Sequence, residues 1–409
     1  MDEPTTTVRG TAAPPAAPPA APPAGQAGEE VLSRLRLAGT AGLSPRLVGR
    51  LVERFGSASA VLLAPPAALA SVPGMGAARA ALLAGAPSAD DARREIGRLR
   101  AAGADLLHPG APGWPEALDD LADPPPVLYV RGALAATLAP ATPPEAVRAA
   151  LRGRGVAIVG SRRASTYGLS QARAIAAVLA AVGVPVISGL ARGIDGAAHR
   201  GALDAGGTTI GVLGGGLARF YPPEHVTLAR EIADGRGAVL SEFPLDAPPL
   251  PHHFPRRNRL LAALSAAVVV VEAAEGSGSL LTADHALDLG REVLAVPGRV
   301  DAPNSRGVHR LLREGAALCE GAADVLRALG VEAEPGTPVA GPDRGRRAAV
   351  GATPAETALL AALESEEIDA DGLLERTGLP APEGLAALSA LELRGAVRLG
   401  GDGRYARSP

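Results

Sequence analysis

Lysine is absent from the 409 residues: all 40 basic side chains are arginine. Schiff-base chemistry and the phosphate-gripping lysine of a P-loop are thereby excluded, since both need a primary amine. The single cysteine, Cys319, can form neither an intramolecular disulfide nor a multi-thiolate metal site, which suits a reducing compartment. Aromatic residues are scarce, with one Trp, four Tyr and four Phe. No stretch approaches about 18 uninterrupted apolar residues, and the N-terminus has no continuous apolar core of a signal peptide. A cytoplasmic protein with no membrane partner is expected. What is present is a globular composition, 47% hydrophobic and 20% charged with 43 acidic residues against the 40 arginines. Its length suits two or three domains and its apolar content excludes a wholly disordered chain.

The chain divides by pattern. Residues 1–28 are Ala/Pro repeats, expected to form an extended disordered tail. Over 29–102 apolar residues such as Leu47, Val48, Leu51, Val52 and Phe55 recur at helical spacing, punctuated by Gly56 and Pro65-Pro66. Residues 103–150 combine a Pro-rich run, a strand at Val127–Val130 and a low-complexity insertion at 135–146. From 151 to 330, short continuous apolar runs alternate with helical segments. The runs are Val156–Val159, Val184–Ser188, Thr208–Leu213, Ala238–Ser241, Ala267–Val271 and Val293–Val296. Strands of this kind are buried on both faces, and the pattern predicts a doubly wound, extended Rossmann-like α/β domain over 103–330 with its core at 151–327. In such sheets the loops after the strands gather on one edge, where ligands bind. Residues 331–352 read as a Gly/Pro/Arg linker. Thr353-Pro354-Ala355-Glu356 is a capping box that opens a terminal domain over 353–409, whose order of three helices and two strands fits a winged helix.

The loops after the strands hold the informative residues. Ser161, Arg162 and Arg163 follow the first and Arg192 the second, while Gly214-Gly215-Gly216 and Phe220-Tyr221-Pro222-Pro223 follow the third. Glu242-Phe243-Pro244 and then Phe254, Arg256, Arg257, Asn258 and Arg259 follow the fourth. Gly276, Ser277, Gly278, Ser279 and Thr282 follow the fifth. Small residues let a backbone approach closely, and guanidinium groups clamp phosphate. Residues 151–330 carry 19 Arg and 16 acidic residues, so this segment is net positive inside a chain of net charge −3. Tyr167, Phe220, Tyr221, Phe243 and Phe254 all fall in or beside these loops. Arginines for phosphates with aromatics for base faces is the recipe for single-stranded nucleic acid, each stacked base contributing about 1–3 kcal/mol. Aromatics filling loop cores and arginines snorkelling at the surface is the competing account of any one of these residues.

A nucleotide-acting Rossmann enzyme, hydrolase- or phosphoribohydrolase-like, is the alternative. The triglycine and the Gly276–Ser279 loop could cradle a phosphate, yet neither 156–168 nor 211–217 spells G-x-G-x-x-G with an acidic residue about 20 positions on. Asp195 and His199 stand four apart and could share a face as an acid/base pair, but a helix cap and a packed histidine are the favoured reading. Adjacent His252 and His253 point differently and have no partner ligands nearby in sequence, so neither a metal nor another cofactor is expected.

Outside this segment, Val72-Pro73-Gly74-Met75-Gly76 and the following helix resemble a helix-hairpin-helix or SAM-like turn, whose amides can meet phosphate. Arg46, Arg50 and Arg54 form a stripe beside it. A solvated helix face in a protein-interaction module fits these residues equally. The terminal domain carries 5 Arg against 10 acidic residues from Thr353 to Pro409, and its candidate recognition helix has Glu383, Glu392 and only Arg394. Duplex binding draws on phosphate neutralisation, so partner docking or regulation is expected of this domain instead.

Taken together, Gly160-Ser161-Arg162, the run Ser188–His199, Tyr221-Pro222, Ser241-Glu242-Phe243-Pro244, Phe254-Pro255-Arg256-Arg257-Asn258-Arg259, Ser277–Ala283 and Val296-Pro297-Gly298 resemble the DNA-processing protein A family (DprA, also called Smf). The motifs span about 150–327 in family order, with weaker similarity over 29–131 and in the winged helix. The resemblance implies a non-catalytic, homodimeric protein that binds and protects incoming single-stranded DNA and loads a RecA-type recombinase in natural transformation. It matches Arg162 and Arg192 to phosphate-contacting positions and 254–259 to part of the same groove. The amphipathic segment Asn304–Leu318 is a candidate dimer seam, or a helix packed on its own sheet.

Overall fold

The computed structural model describes residues 24–134, 145–331, 353–363, 366–400 and 403–407. The Ala/Pro run before residue 24, most of the 135–146 insertion and the 332–352 linker lie outside these. Nine strands form the central sheet: β1 (Ala104–Leu107), β2 (Leu128–Gly132), β3 (Gly155–Val159), β4 (Val186–Ser188), β5 (Thr209–Val212), β6 (Ala238–Ser241), β7 (Ser265–Val270), β8 (Glu292–Ala295) and β9 (Ala317–Leu318). Their spatial order is β1-β2-β6-β5-β4-β3-β7-β8-β9. From β6 through β9 all neighbours pair in parallel, while β2 runs antiparallel to β6 and β1 to β2. The order reverses beside β3: β4 to β6 extend to one side and β7 to β9 to the other. This is the switch point of a doubly wound sheet, and it opens a crevice at the carboxyl ends of β3 and β7.

Every residue of β3 is buried. Val156 and Ile158 pack on one face with Ile175, Leu179 and Ile194; Ala157 and Val159 pack on the other with Leu260, Val268 and Val270. Strand alternation thus feeds two cores, which is why the sequence shows continuous apolar runs with no polar alternation. β1 and β9 escape that signature. β1 is a four-residue strand interrupted by Asp105, and β9 is a two-residue edge strand with both side chains exposed.

The N-terminal helices begin at Ala24, taking in the last five residues of the expected tail. Their boundary with the sheet runs through a shared core, because Leu35, Ala92 and Leu99 pack with Leu106, Tyr129 and Ile232. A separate cluster, including Leu37, Leu51, Val61, Leu69 and Met75, holds the intervening short helices together. The helix Arg306–Arg313, within the candidate dimer seam, buries Val308 and Leu311 in the core that serves the sheet. At the C-terminus, helices Pro354–Ala362, Ala370–Thr377 and Ala381–Leu393 pack with a three-stranded sheet, β10 (Ile368–Asp369), β12 (Arg404–Arg407) and β11 (Val397–Leu399), one strand more than expected. Thr353 and Glu356 close the anticipated capping box.

His199 ties the helix Ile194–Asp204 to β5. Thr209 Oγ1 donates to the Val186 carbonyl at 2.8 Å, so His199 Nδ1 donates to Thr209 Oγ1 at 2.7 Å, leaving Nε2 buried without a partner. A proton on Nε2 would therefore be an unpaired buried charge. Burial, reinforced by His225 and Arg257, lowers the His199 pKa from 6.5 to about 3. The unfolded chain takes up this proton below about pH 6.5 while the folded chain refuses it until about pH 3, so stability falls as pH drops through that window. Urea unfolding at stepped pH should show this slope reduced in His199→Gln; an identical pH dependence in both proteins refutes the assignment.

Candidate nucleic-acid interface

The crevice at the switch point has its helix N-terminus already occupied. Ser165 caps the helix Thr166–Ala181 by accepting from Gly168 N at 3.1 Å. The buried Glu272, from the loop after β7, accepts from Ser165 N at 2.9 Å and from Ser165 Oγ at 2.5 Å. Gly168 makes room for it: a Cβ there would stand 2.5 Å from the Glu272 carboxyl carbon. A Rossmann nucleotide site places its phosphate at this helix N-terminus. Here the protein's own carboxylate fills the position.

The cations lie outside that seat. Arg162 and Arg163 are exposed on the loop after β3, where Ser161 Oγ accepts from Arg163 N at 3.1 Å. Gly193 fixes this loop against the next one. Its φ is +74°, and a Cβ would come within 2.2 Å of the Ser161 carbonyl, which accepts from Ile194 N. The Arg162 guanidinium sits 4.8 Å from the centre of the Phe254 ring. Phe254 meets Tyr221 edge to face at 5.9 Å, and Arg192 lies over Tyr221 at 5.6 Å. Two arginines and two rings thus alternate along one surface. Tyr221, joined to Pro222 by a cis peptide, stands out in the sequence as an aromatic of the loop after the third strand and as part of a family motif, but neither signal places it between Phe254 and Arg192.

Arg192 has a carboxylate partner that sequence spacing did not reveal. Glu224 accepts from its Nη2 at 3.2 Å and also from its Nε. The pairing lowers the Glu224 pKa and raises that of Arg192. Both side chains are about half exposed, so the pair is solvent-screened and exchangeable for another anion.

The segment 254–259 is helical rather than a loop, and it divides by face. It opens the helix His253–Ala263, with Arg256 exposed and Arg257, Asn258 and Arg259 buried. Arg257 donates to the Gly189 carbonyl at 2.7 Å and to the Val212 carbonyl. Asn258 Nδ2 donates to the Gly278 carbonyl at 2.9 Å. Arg259 pairs with the buried Glu242 at 2.6 Å and with Asp123 at 3.4 Å; Arg256 reaches the same Glu242 oxygen at 3.0 Å from the rim. The expectation of a solvent-facing row is corrected here: Arg257, Asn258 and Arg259 form the floor that holds the loops in place. Thr282, expected in the same site, is 1% exposed and also faces inward. Gly276 and Gly278 are exposed and Ser277 and Ser279 half-buried, with the two serine hydroxyls 2.8 Å apart.

Beneath the floor, Asp195 is not the helix cap, which is Gly193; its carboxylate accepts from Gly189 N at 3.0 Å and Ala191 N at 3.3 Å. Burial raises its pKa against the pull of Arg257, and burial lowers Arg257 to about 10. Asp195 and His199 have separate partners and form no acid/base pair. His253 stacks on Phe243 at 4.0 Å with His252 edge-on to it, and the described residues contain no cluster of three metal-ligating side chains. Nor do they include a helix long and apolar enough to cross a membrane.

The winged helix borders the site. Thr166 donates to Glu367 at 2.7 Å and accepts from Arg398, and a cleft of about 330 Å³ there is lined by Arg163, Ser165, Asn304, Glu367, Arg398 and Arg404. Arg376, Arg394 and Arg398 pair with Glu366, Glu356 and Glu367 inside the same domain. A larger depression, about 470 Å³ around Arg131 and Asp234, lies away from the carboxyl ends of the parallel strands and gathers none of these groups.

With this geometry in hand, comparison with known proteins is direct. The family model described as DNA recombination-mediator protein A matches residues 105–330, and a DprA winged helix domain model matches 344–403. The chain is 44% identical over 251 residues to Protein Smf of Escherichia coli, covering 60% of this chain and 66% of that protein. It is 34% identical over 289 residues to Protein Smf of Synechocystis, covering 71% and 70%. The alignments therefore span about two thirds of those relatives' length. The X-ray structure of DNA processing protein A (DprA) from Streptococcus pneumoniae superposes with a TM-score of 0.61 at 30% identity, over 73% of this chain and 96% of that one.

Floor and rim should separate on mutation. Arg257→Met leaves two carbonyls without donors and is expected to cost about 2–4 kcal/mol in urea unfolding, while Arg163→Met, exposed, should stay within about 0.5 kcal/mol. Equal effects would refute the division.

Proposed function

This chain belongs to the DNA recombination-mediator protein A family, and from that premise we propose that it binds single-stranded DNA along the strand-end edge as a non-catalytic mediator. The carrying observation is the alternation of cations and rings on one surface, exposed Arg162, half-buried Phe254, exposed Tyr221 and exposed Arg192. Guanidinium groups neutralise successive phosphates, and ring faces accept bases of any sequence. Ser161, Arg163, Arg256 and the 276–279 loop border this path, while Arg257, Asn258, Arg259 and Thr282 support it from below. Glu224 holds Arg192 in place until a phosphate replaces it.

The alternative, a nucleotide-acting Rossmann enzyme, is disfavoured by two features. Glu272 would repel a phosphate from the helix N-terminus where such enzymes bind one. Asp195 and His199, the one candidate acid/base pair, are buried and committed to other partners.

Protection of the strand and its delivery to a RecA-type recombinase in natural transformation belong to the same proposal and rest on the family resemblance. So does a homodimer, for which the exposed edge strand β9 offers unpaired backbone groups beside Leu318. A cytoplasmic site of action follows from a DNA ligand.

Arg162→Ala and Arg192→Ala should each weaken binding of a labelled single-stranded oligonucleotide regardless of sequence, and each should flatten the slope of log affinity against log salt by about 0.7. Phe254→Ala should lose about 1–3 kcal/mol of affinity with the slope unchanged. Wild-type affinity in all three variants would reject the site.

A further inference from the structure

The N-terminal helices present a second cationic surface, remote in sequence from the strand-end edge. Between residues 43 and 83 there are four arginines, Arg46, Arg50, Arg54 and Arg79, and one acidic residue, Glu53. All four guanidinium-bearing side chains are exposed. Elsewhere on the described surface arginines are commonly neutralised, as Arg93 is by Asp90 and Arg173 by Asp204. No carboxylate of the described residues pairs with any of these four; Arg50 and Arg79 have carbonyl oxygens for partners.

Geometry gathers them. Arg46, Arg50 and Arg54 recur every fourth residue on the helix Pro45–Phe55, so they share one face and are spaced by about 6 Å along its axis. The opposite face, Leu47, Val48 and Leu51, is buried in the module's own core. The hairpin at 72–76 closes against this stripe: Arg50 Nη1 donates to the Pro73 carbonyl at 3.3 Å and Arg79 Nη1 to the Gly74 carbonyl. Gly74 and Gly76 take φ of +87° and +61°, a turn that brings the backbone out between the two guanidiniums. Two of the four uncompensated cations thus hold the turn, and Arg46 and Arg54 extend the stripe on either side of Arg50.

We propose that this face binds duplex DNA through its phosphate backbone, independently of sequence, as a site separate from the single-strand groove. Charge selects a polyanion, and the lack of a succession of rings selects the duplex. The module holds a single aromatic residue, Phe55, packed on its core, so the stripe has no row of rings on which consecutive bases could stack. The strand-end edge, by contrast, displays rings between its cations. A single strand gains from stacking and a duplex does not, so the two surfaces suit the two forms of DNA. A chain with both can hold a single strand beside a duplex.

The test uses the full chain and fluorescence anisotropy with a labelled duplex and a labelled single strand of equal length. Arg46 and Arg54 make no hydrogen bond to protein, so the double variant Arg46→Ala, Arg54→Ala keeps the hairpin contacts and favours the helix. Its duplex affinity should fall on the order of tenfold, with the salt slope flattened by about 1.8, since each released phosphate contact contributes about 0.9. Its single-strand affinity should stay within about twofold, and Arg162→Ala should show the reverse pattern. Unchanged duplex affinity and slope in the double variant overturn the proposal. Equal losses for both DNA forms overturn it too, since they would mean one shared surface. The outcome for Arg162→Ala on single strands is independent of either result, so failure here and failure of the groove assignment are distinguishable. Circular dichroism and unfolding midpoint confirm that the variant is folded; should it not be, Arg46→Gln alone carries the same test with half the slope change.

Discussion

The strand-end edge depends on one turn of helix. Arg257, Asn258 and Arg259, consecutive on the helix His253–Ala263, reach the ends of four strands: the Gly189 and Val212 carbonyls after β4 and at β5, Glu242 after β6 and Gly278 after β7. Loops at strand ends have few backbone partners of their own, so without these donors their carbonyls would be buried and unpaired. Burying a guanidinium is costly, and Arg257 offsets this with three acceptors, the two carbonyls reached from Nη1 and Asn258 Oδ1 from Nε at 3.2 Å. Gly189 completes the fit, since a Cβ there would fall 2.4 Å from the Arg257 nitrogens. In a chain without lysine these positions could only be arginine, but the geometry itself calls for it.

Given that frame, the charges divide by depth. Carboxylates are taken inward: Glu272 caps a helix, Asp195 braces a loop and Glu242 pairs with Arg259. Arg162, Arg163, Arg192 and Arg256 are left at the rim. The chain's overall near-neutrality therefore says little about its surface potential, because part of the acidic complement is spent where no ligand can meet it. The anion seat of the Rossmann fold has been closed from within by Glu272, and the exposed arginines stand one layer outward on an open surface.

Legibility in the sequence followed the strength of local signals. Runs of four to six residues such as Val156–Val159 mark the parallel strands, because strands buried on both faces have no polar alternation to confuse them. β1 and β9 went unread since an edge strand needs no such run. The Phe254–Arg259 segment carries a family motif in the sequence but no legible helix signal. Pro255 and three arginines suggest a loop, and only the packing of Leu260 and Leu261 into the core reveals the helix. Which of its arginines face solvent could not be read at all, since consecutive helix residues differ by 100° in direction and the sheet decides which way is in.

The sequence by itself determined the class of fold, the succession of modules and the residue types available for chemistry. Those follow from periodicity, capping residues and composition, which are local and countable. Only the tertiary structure decided roles. Asp195 and His199, neighbours on one helix, have different partners because β5 supplies Thr209 to one and the loop after β4 supplies amides to the other. Arg192 meets Glu224, and Arg162 meets Phe254, across gaps of tens of residues that no spacing rule encodes. Folding brings distant loops to one edge, and whether a charge there is spent or offered depends on what that convergence places beside it.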